Sequence, residues 1–317
     1  MTYRLAFWST IAIAVQMVLG GIVVGENAGF VCPDWPLCDG QVLPALTGLV
    51  LLDLVHRFSA LAVSVLVLAT AIAVWRTRKQ HRLQFSIIGA ALVSLLLQIV
   101  VGGLIVLFKL PGVTTTIDVA NSMIMLALFV VLTMIARRVL REERGLTAAA
   151  DPQLSRLAGP AWGVLGAAFF SIVVGALFRH SGASEALFGK MEYLSSHGQT
   201  TPPSMWTSQT LLMFHIASGM LLTATAVWFL VTALRTRRYR GIAFAEIALV
   251  MVQAALGMHT LSTELGIVPA TLHWGNAALL MAVLTWTAIT AHAAKYEGAP
   301  ELHRFAGGTS LKAGQGH

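Results

Sequence analysis

Four polar residues within apolar segments suggest the chemistry of this chain. An ionisable side chain inside a membrane-length apolar run is energetically costly and indicates function. Two neutral imidazoles on different helices favour axial ligation of a haem iron over zinc, which takes three or four ligands. Either histidine alone would also fit a hydrogen-bonded core residue. The four are His56 in LVHRF, His215 in MFHIA, His273 in TLHWGN and Asp118 in TIDVAN.

A duplication relates these residues. When the sequence is shifted by 155 positions, His273 meets Asp118, and His56 and His215 lie about one helix earlier in each half. IVVG at 22–25 also recurs at 172–175. The pattern predicts two related cofactor sites, with a full histidine pair, His215 and His273, in only one. Further matched pairs are Gln98 and Gln253, Gly102 and Gly257, Thr116 and Thr271, Asn121 and Asn276, and Ala127 and Ala282.

Two charged residues accompany His56. Asp53 and His56 are three positions apart and share a helix face, and Arg57 follows directly. His56 could ligate iron, Asp53 could accept a proton, and Arg57 could hold a haem propionate as a bidentate fork. Alternatively, Asp53 and Arg57 form an ion pair that stabilises the helix end. Asp118, as a carboxylate, is a weak haem ligand; it could orient a water, stay protonated through burial, or be solvated.

Apolar helices must position these groups. The chain is 56% hydrophobic and 11% charged, whereas soluble domains are about a quarter charged. A membrane span needs about 20 apolar residues, so we predict an all-α integral membrane protein. The histidines and Asp118 would share a level near the outer ends of helices two, four, six and eight. The eight predicted spans are 6–25, 46–75, 85–108, 114–136, 159–178, 207–234, 241–262 and 268–292.

Basic residues set the expected orientation. The net charge is +7, and arginines and lysines cluster after the second, fourth and sixth spans, whereas the opposite loops carry few. This positive-inside pattern predicts that both termini are cytoplasmic. It argues against nucleic acid as a partner, because the positive charge follows the membrane boundary. The start, MTYRLAFWST, lacks a small-residue cleavage site and is interpreted as a retained anchor.

The segment REERGLTAAADPQLSRLAGP is typical of a linker. Four helices on each side of it give both halves the same orientation, so the predicted fold is two parallel-repeat four-helix bundles. The predicted organisation is an N-terminal half at 1–138, a cytoplasmic linker at 139–158, a C-terminal half at 159–294 and a cytoplasmic tail at 295–317.

The two cysteines, Cys32 and Cys38, lie in the first outer loop. Two nearby thiols in an oxidising compartment favour a disulfide, and a metal site would need more ligands. Two unpaired cysteines, or a pair that cycles with a partner thiol, remain alternatives.

The loop ENAGFVCPDWPLCDGQVLP, followed by DLVHRF, resembles the first outer loop and second helix of the haem A synthase family. FHIASG and TLHWGN resemble that family's second-half haem-ligand helices. The resemblance covers nearly the whole chain. It implies oxidation of the C8 methyl of haem O to the formyl of haem A, with haem O synthase and terminal oxidase assembly factors as partners, in the lipid bilayer of the inner (plasma) membrane.

The resemblance also implies residue roles. His215 and His273 would hold a haem b, His56 would ligate the substrate haem, and Asp53 stands where the family has a catalytic glutamate. Loop cysteines are implicated in redox handling or stability in the members that carry them.

Asp118 stands where the family has a second substrate-side histidine. We therefore predict a five-coordinate substrate haem on His56, open toward Asp118. The rival hypotheses are a non-catalytic haem b protein of the same fold, acting as electron carrier or haem chaperone, and a transporter suggested by the parallel repeat.

Overall fold

The computed structural model describes residues 1–110, 112–146 and 151–295. Their secondary structure is helical, apart from one isolated bridge between Cys38 and Gln41. The helices are α1 (Thr2–Gly25), α2 (Gly48–Arg76), α3 (Arg82–Phe108), α4 (Gly112–Glu142), α5 (Pro152–Ser155), α6 (Ala158–His180), α7 (Ala183–Ala186), α8 (Glu192–Ser196), α9 (Met205–Thr236), α10 (Arg240–Ser262) and α11 (Ile267–Ala293).

Eight of these helices are long and apolar enough to cross a membrane: α1, α2, α3, α4, α6, α9, α10 and α11. They match the eight predicted spans in number and order. The predicted all-α, multi-pass membrane fold is therefore confirmed. The sequence did not predict the short helices α5, α7 and α8, or the 3₁₀ turn at Ala28–Phe30. Helices α7 and α8 lie in the loop between α6 and α9, and the 3₁₀ turn lies in the loop between α1 and α2.

The long helices pack in a matched pattern. Helix α1 contacts α2 and α4, and α3 also contacts α2 and α4; in the same way α6 contacts α9 and α11, and α10 contacts α9 and α11. Helices α1, α4, α6 and α11 form the centre, where α1 packs on α11 and α4 packs on both α6 and α11. The division into two parallel four-helix repeats, and the residue bounds of the halves, stay predictions.

Glycines allow the outer ends of the central helices to approach closely. A Cβ on Gly112, the first residue of α4, would lie 1.4 Å from the carbonyl oxygen of His180 at the end of α6. Trp274 of α11 covers Gly21 of α1 and donates a hydrogen bond of 2.6 Å to the Met17 carbonyl oxygen. Small residues at such contacts let membrane helices gain van der Waals packing.

The predicted linker at 139–158 is partly helical. Helix α4 continues to Glu142, and α5 begins after Asp151, whose carboxylate accepts the backbone N–H groups of Gln153 and Leu154. Residues 147–150 of the linker, and residues 296–317 of the expected tail, lie outside the described part of the chain.

The first outer loop is a disulfide-closed unit. Cys32 and Cys38 form the predicted disulfide, and both pack against Leu54 of α2. Asp34 accepts the backbone N–H groups of Gly40 and Asp39, and these bonds hold the pKa of its carboxyl below its usual range. The loop is thereby held over the N-terminal end of α2.

Candidate cofactor sites

His215 and His273 face each other within the C-terminal half. His215 lies on α9 and His273 on α11, and both helices pack on α6 and α10. The ring centroids are 6.3 Å apart, with the ring planes at 81°. A metal–nitrogen distance of about 2 Å on each side, plus roughly 1 Å from each nitrogen to its ring centre, gives about 6 Å. The spacing therefore fits one iron held between the rings.

A hydrogen bond sets the proton position on His273. Its Nδ1 lies 3.1 Å from the backbone carbonyl oxygen of Gln253. A carbonyl only accepts, so Nδ1 carries the proton and Nε2 keeps its lone pair, as metal-ligating histidines require. The Gln253 amide nitrogen lies 3.2 Å from both ring nitrogens, and its Oε1 accepts a 2.7 Å bond from Asn276. This network fixes the ring.

Glycines leave room directly against both rings. A Cβ on Gly175 would lie 2.6 Å from Cε1 of His215, and one on Gly257 would lie 3.1 Å from Cε1 of His273. Nδ1 of His215 has no hydrogen-bond partner among the described residues, and Phe178 stacks beside this ring. Two imidazoles at this spacing would suit a haem iron held by two histidines.

His56 occupies the corresponding place in the N-terminal half. The amide nitrogen of Gln16 lies 3.0 Å from its Nδ1 and 3.4 Å from its Nε2. A Cβ on Gly20 would lie 3.3 Å from Cε1 of His56, as Gly175 lies against His215. Gly20 and Gly175 are 155 positions apart, so this frame extends to α1 and α6. The IVVG match instead pairs Gly25 with Gly175, and these two glycines do not make equivalent contacts.

Asp118 keeps the polar surroundings of its counterpart His273 but fills less space. Asn121 donates a 2.8 Å bond to Gln98, as Asn276 does to Gln253, and the Gln98 side chain lies near Asp118. Oδ1 of Asp118 is buried without a partner among the described residues. A Cβ on Gly102 would meet nothing within 4 Å, whereas the equivalent Gly257 touches the His273 ring. The first half therefore has open space at this level.

Arg57 joins Asp53 to the disulfide loop. Its Nε and one terminal nitrogen contact Asp53 at 3.2 and 3.0 Å. The terminal nitrogens also donate to the carbonyl oxygens of Asp34 (2.8 Å), Leu37 (2.6 Å) and Cys32 (3.2 Å). Four of these contacts are hydrogen bonds, and the fifth is an ionic contact to Oδ2 of Asp53, which has no hydrogen-bond partner among the described residues. A haem propionate would have to displace one of them, so the structure favours the ion-pair alternative, and propionate binding stays a prediction.

A buried polar cluster lies at the end of the C-terminal half where α6 and the 179–206 loop meet, and the sequence did not reveal it. Glu185 pairs with Arg179 and accepts the Tyr193 backbone N–H, and the Tyr193 hydroxyl meets His180 at 2.9 Å. The His197 ring packs against Tyr193, with the ring centroids 4.1 Å apart and the planes tilted by 45°. Burial raises the pKa of Tyr193 to about 12 and lowers that of His197. The length of the 179–206 loop was the only signal for this cluster.

The cytochrome oxidase assembly protein family model matches residues 1–130 and 50–285 of the chain. The chain is similar to the haem A synthase of Bacillus pumilus, at 24% identity over 91% of this chain and 94% of that protein. It is also similar to that of Bacillus mycoides, at 23% identity over 89% and 90%. A haem A synthase of Bacillus licheniformis is 31% identical over 40% and 42%.

The chain therefore belongs to the cytochrome oxidase assembly protein family, a membrane family whose relatives include haem A synthases. The family predicted from the WPLC loop and the histidine helices is confirmed.

Proposed function

We propose that this protein is a haem A synthase-like membrane oxidoreductase that oxidises the C8 methyl of haem O to the formyl group of haem A for terminal oxidase assembly. The observation that carries the proposal is the His215–His273 pair, 6.3 Å apart, in a chain of this family. Haem O synthase would supply the substrate and oxidase assembly factors would take the product. The expected location is the inner (plasma) membrane with both termini cytoplasmic.

The C-terminal half would bind haem b through His215 and His273. When bound, this group supplies a reversible one-electron carrier. The Gln253 carbonyl keeps the proton of His273 on Nδ1, at 3.1 Å, and so presents Nε2. Gly175 and Gly257 let both rings lie flush against their helices. These residues bind and orient; none of them is required to transfer a proton.

The N-terminal half would bind haem O through His56, with the position opposite left open by Asp118. The space beside Gly102 supports this role, because a histidine there would occupy it. Asp53, 3% exposed, would accept protons released from the reacting methyl group, with Arg57 holding its carboxylate in place. A Cβ on Gly103 of α3 would lie 3.1 Å from the Trp35 ring, so this tryptophan packs on α3 and the disulfide loop would shield this half from outside water.

The test is co-expression with a haem O synthase, followed by extraction and chromatography of the pigments. Haem A, or its hydroxylated intermediate, is expected from the wild type. His56→Ala should abolish both while leaving haem b in the C-terminal half. A wild type that yields only haem b and unchanged haem O would refute the proposal.

A second test concerns coordination at His56. The double variant His215→Ala/His273→Ala keeps only the N-terminal site, and electron paramagnetic resonance should show a high-spin haem there. In the same background Asp118→His should convert the signal to low spin. A purely low-spin signal without that substitution would contradict the open position.

A non-catalytic haem b protein is the second candidate, and the aspartate at position 118 favours it. It predicts stable haem b and no modified haem, whatever haem is supplied. The pigment extraction separates the two candidates. A transporter predicts no stable pigment, so purified protein with bound haem would dismiss it.

A further inference from the structure

Gln16 of α1 is the polar partner of the His56 ring. Its amide nitrogen lies 3.0 Å from Nδ1 of His56 and 3.1 Å from the His56 carbonyl oxygen. A carbonyl oxygen only accepts, so the group of Gln16 that faces it is the NH₂. The Ser59 hydroxyl, which donates to Oε1 of Gln16, supports the same orientation. Nδ1 of His56 therefore accepts a hydrogen bond, and the neutral ring carries its proton on Nε2.

The other two histidines have different partners at Nδ1. In His273 this nitrogen donates to the Gln253 carbonyl oxygen at 3.1 Å. In His215 it has no hydrogen-bond partner among the described residues. Position 171, which matches Gln16 in the 155-residue frame, is a serine whose hydroxyl accepts from Ser218 at 3.1 Å. The amide nitrogen of Gln253 also lies 3.2 Å from both nitrogens of His273, so an amide donor is common to these two rings. His56 differs because its Nδ1 faces the amide of Gln16 and, among the described residues, has no carbonyl acceptor like the one at Nδ1 of His273.

This difference affects iron binding. An imidazole that ligates iron through Nε2 carries its proton on Nδ1, and an acceptor opposite Nδ1 strengthens the ligand. To coordinate in this way, His56 would give up the bond from Gln16, and its Nδ1–H would then face an N–H of the amide. One lost hydrogen bond corresponds to about a tenfold weaker ligand.

We propose that Gln16 is a positioning residue that keeps His56 a weak and exchangeable iron ligand, so that haem can leave the N-terminal half while the C-terminal haem stays. The inference rests on the proposed function, because only a site that receives substrate and releases product needs exchange. Gly20 adds to it by allowing α1, and with it Gln16, to lie against the ring.

The test measures haem b transfer to apomyoglobin from purified full-length protein, followed by the Soret absorbance. In the His215→Ala/His273→Ala background, Gln16→Met keeps the side-chain length without the donor, and Gln16→Ser copies position 171. Both are expected to slow transfer about tenfold. In a His56→Ala background, the reciprocal Ser171→Gln should speed transfer from the C-terminal site.

An unchanged rate in Gln16→Met would overturn the inference, as would a double-alanine background that binds no haem. Pigment extraction from the wild type reports separately on the proposed function. Haem A with unchanged transfer rates would retain the function and remove the role of Gln16. Slowed transfer without haem A would support the role of Gln16 and refute the proposed function.

Discussion

Replacing Gly175 by alanine should weaken haem binding in the C-terminal half. The new Cβ would lie 2.6 Å from Cε1 of His215, whereas carbon atoms in contact are about 3.5–4.0 Å apart. The ring must therefore retreat by about 1 Å from α6. Overpacking of this kind costs about 1–3 kcal/mol. If the ring can rotate away from the new methyl group in the haem-free protein, this cost arises only when haem binds. The haem affinity would then fall by roughly 5- to 150-fold.

Substitutions at two further glycines test whether the loss of affinity follows the distance from the new Cβ to the ring. Gly257→Ala would place a Cβ 3.1 Å from His273, so the ring needs to move by only a few tenths of an ångström, and a loss below about tenfold is expected. Gly102→Ala, at the equivalent position of the other half, would meet nothing within 4 Å. It should leave the haem affinity of the C-terminal half unchanged.

The assay is haemin titration of protein produced without haem, followed at the Soret band. Thermal unfolding of the haem-free variants is the control, and similar midpoints would confirm that the difference arises on binding. Equal affinity of Gly175→Ala and Gly102→Ala, or a larger loss in Gly257→Ala than in Gly175→Ala, would refute the reasoning.

Three further predictions concern the outer side of the protein. Arg57→Gln removes donors to three loop carbonyls, so dithiothreitol should reduce the loop disulfide several-fold faster in a thiol-alkylation gel assay. An unchanged rate would show that these hydrogen bonds do not protect the disulfide. Gly112→Ala has no space, because its Cβ would lie 1.4 Å from the His180 carbonyl oxygen; we expect little monodisperse protein by size exclusion, and a normal yield would count against this packing. The pKa of Asp34 is lowered chiefly by the Gly40 N–H, so its stabilisation of the loop is present above the ordinary value of 3.8 and is lost as the pH falls through the folded pKa. Amide exchange in the loop should rise at that pH in the wild type, and Asp34→Asn should remove the dependence.

The spans and the disulfide were predictable because each depends on local sequence. Apolar length alone determines which segments can satisfy their backbone inside a bilayer, and the eight predicted spans correspond to the eight long helices. Cys32 and Cys38 are close in sequence, so their pairing needs little information about the fold. The histidine pair was also visible, because ionisable groups are rare in such segments.

The partners of these groups were not predictable. Arg57 binds carbonyl oxygens of residues 20 to 25 positions earlier in the chain, which depends on the path of an irregular loop. The IVVG match misaligned the first helices because four apolar letters recur easily in apolar helices. The structure instead pairs Gly20 with Gly175 through their contacts with His56 and His215, and no single-sequence pattern reports such a contact.

The differences between the halves lie at the ligands rather than in the framework. Gln98 and Asn121 of the N-terminal half make the same hydrogen bond as their counterparts, at 2.8 Å against 2.7 Å, although Asp118 stands where the other half has His273. A buried pair of amide side chains in an apolar bundle is costly unless its hydrogen bonds are satisfied. If the N-terminal half no longer bound haem, apolar residues at these positions would make it more stable. The presence of this framework beside Asp118, together with an amide donor at Nδ1 of His56 where His273 has a carbonyl acceptor, favours an N-terminal site adapted to exchange its haem over one that has lost its function.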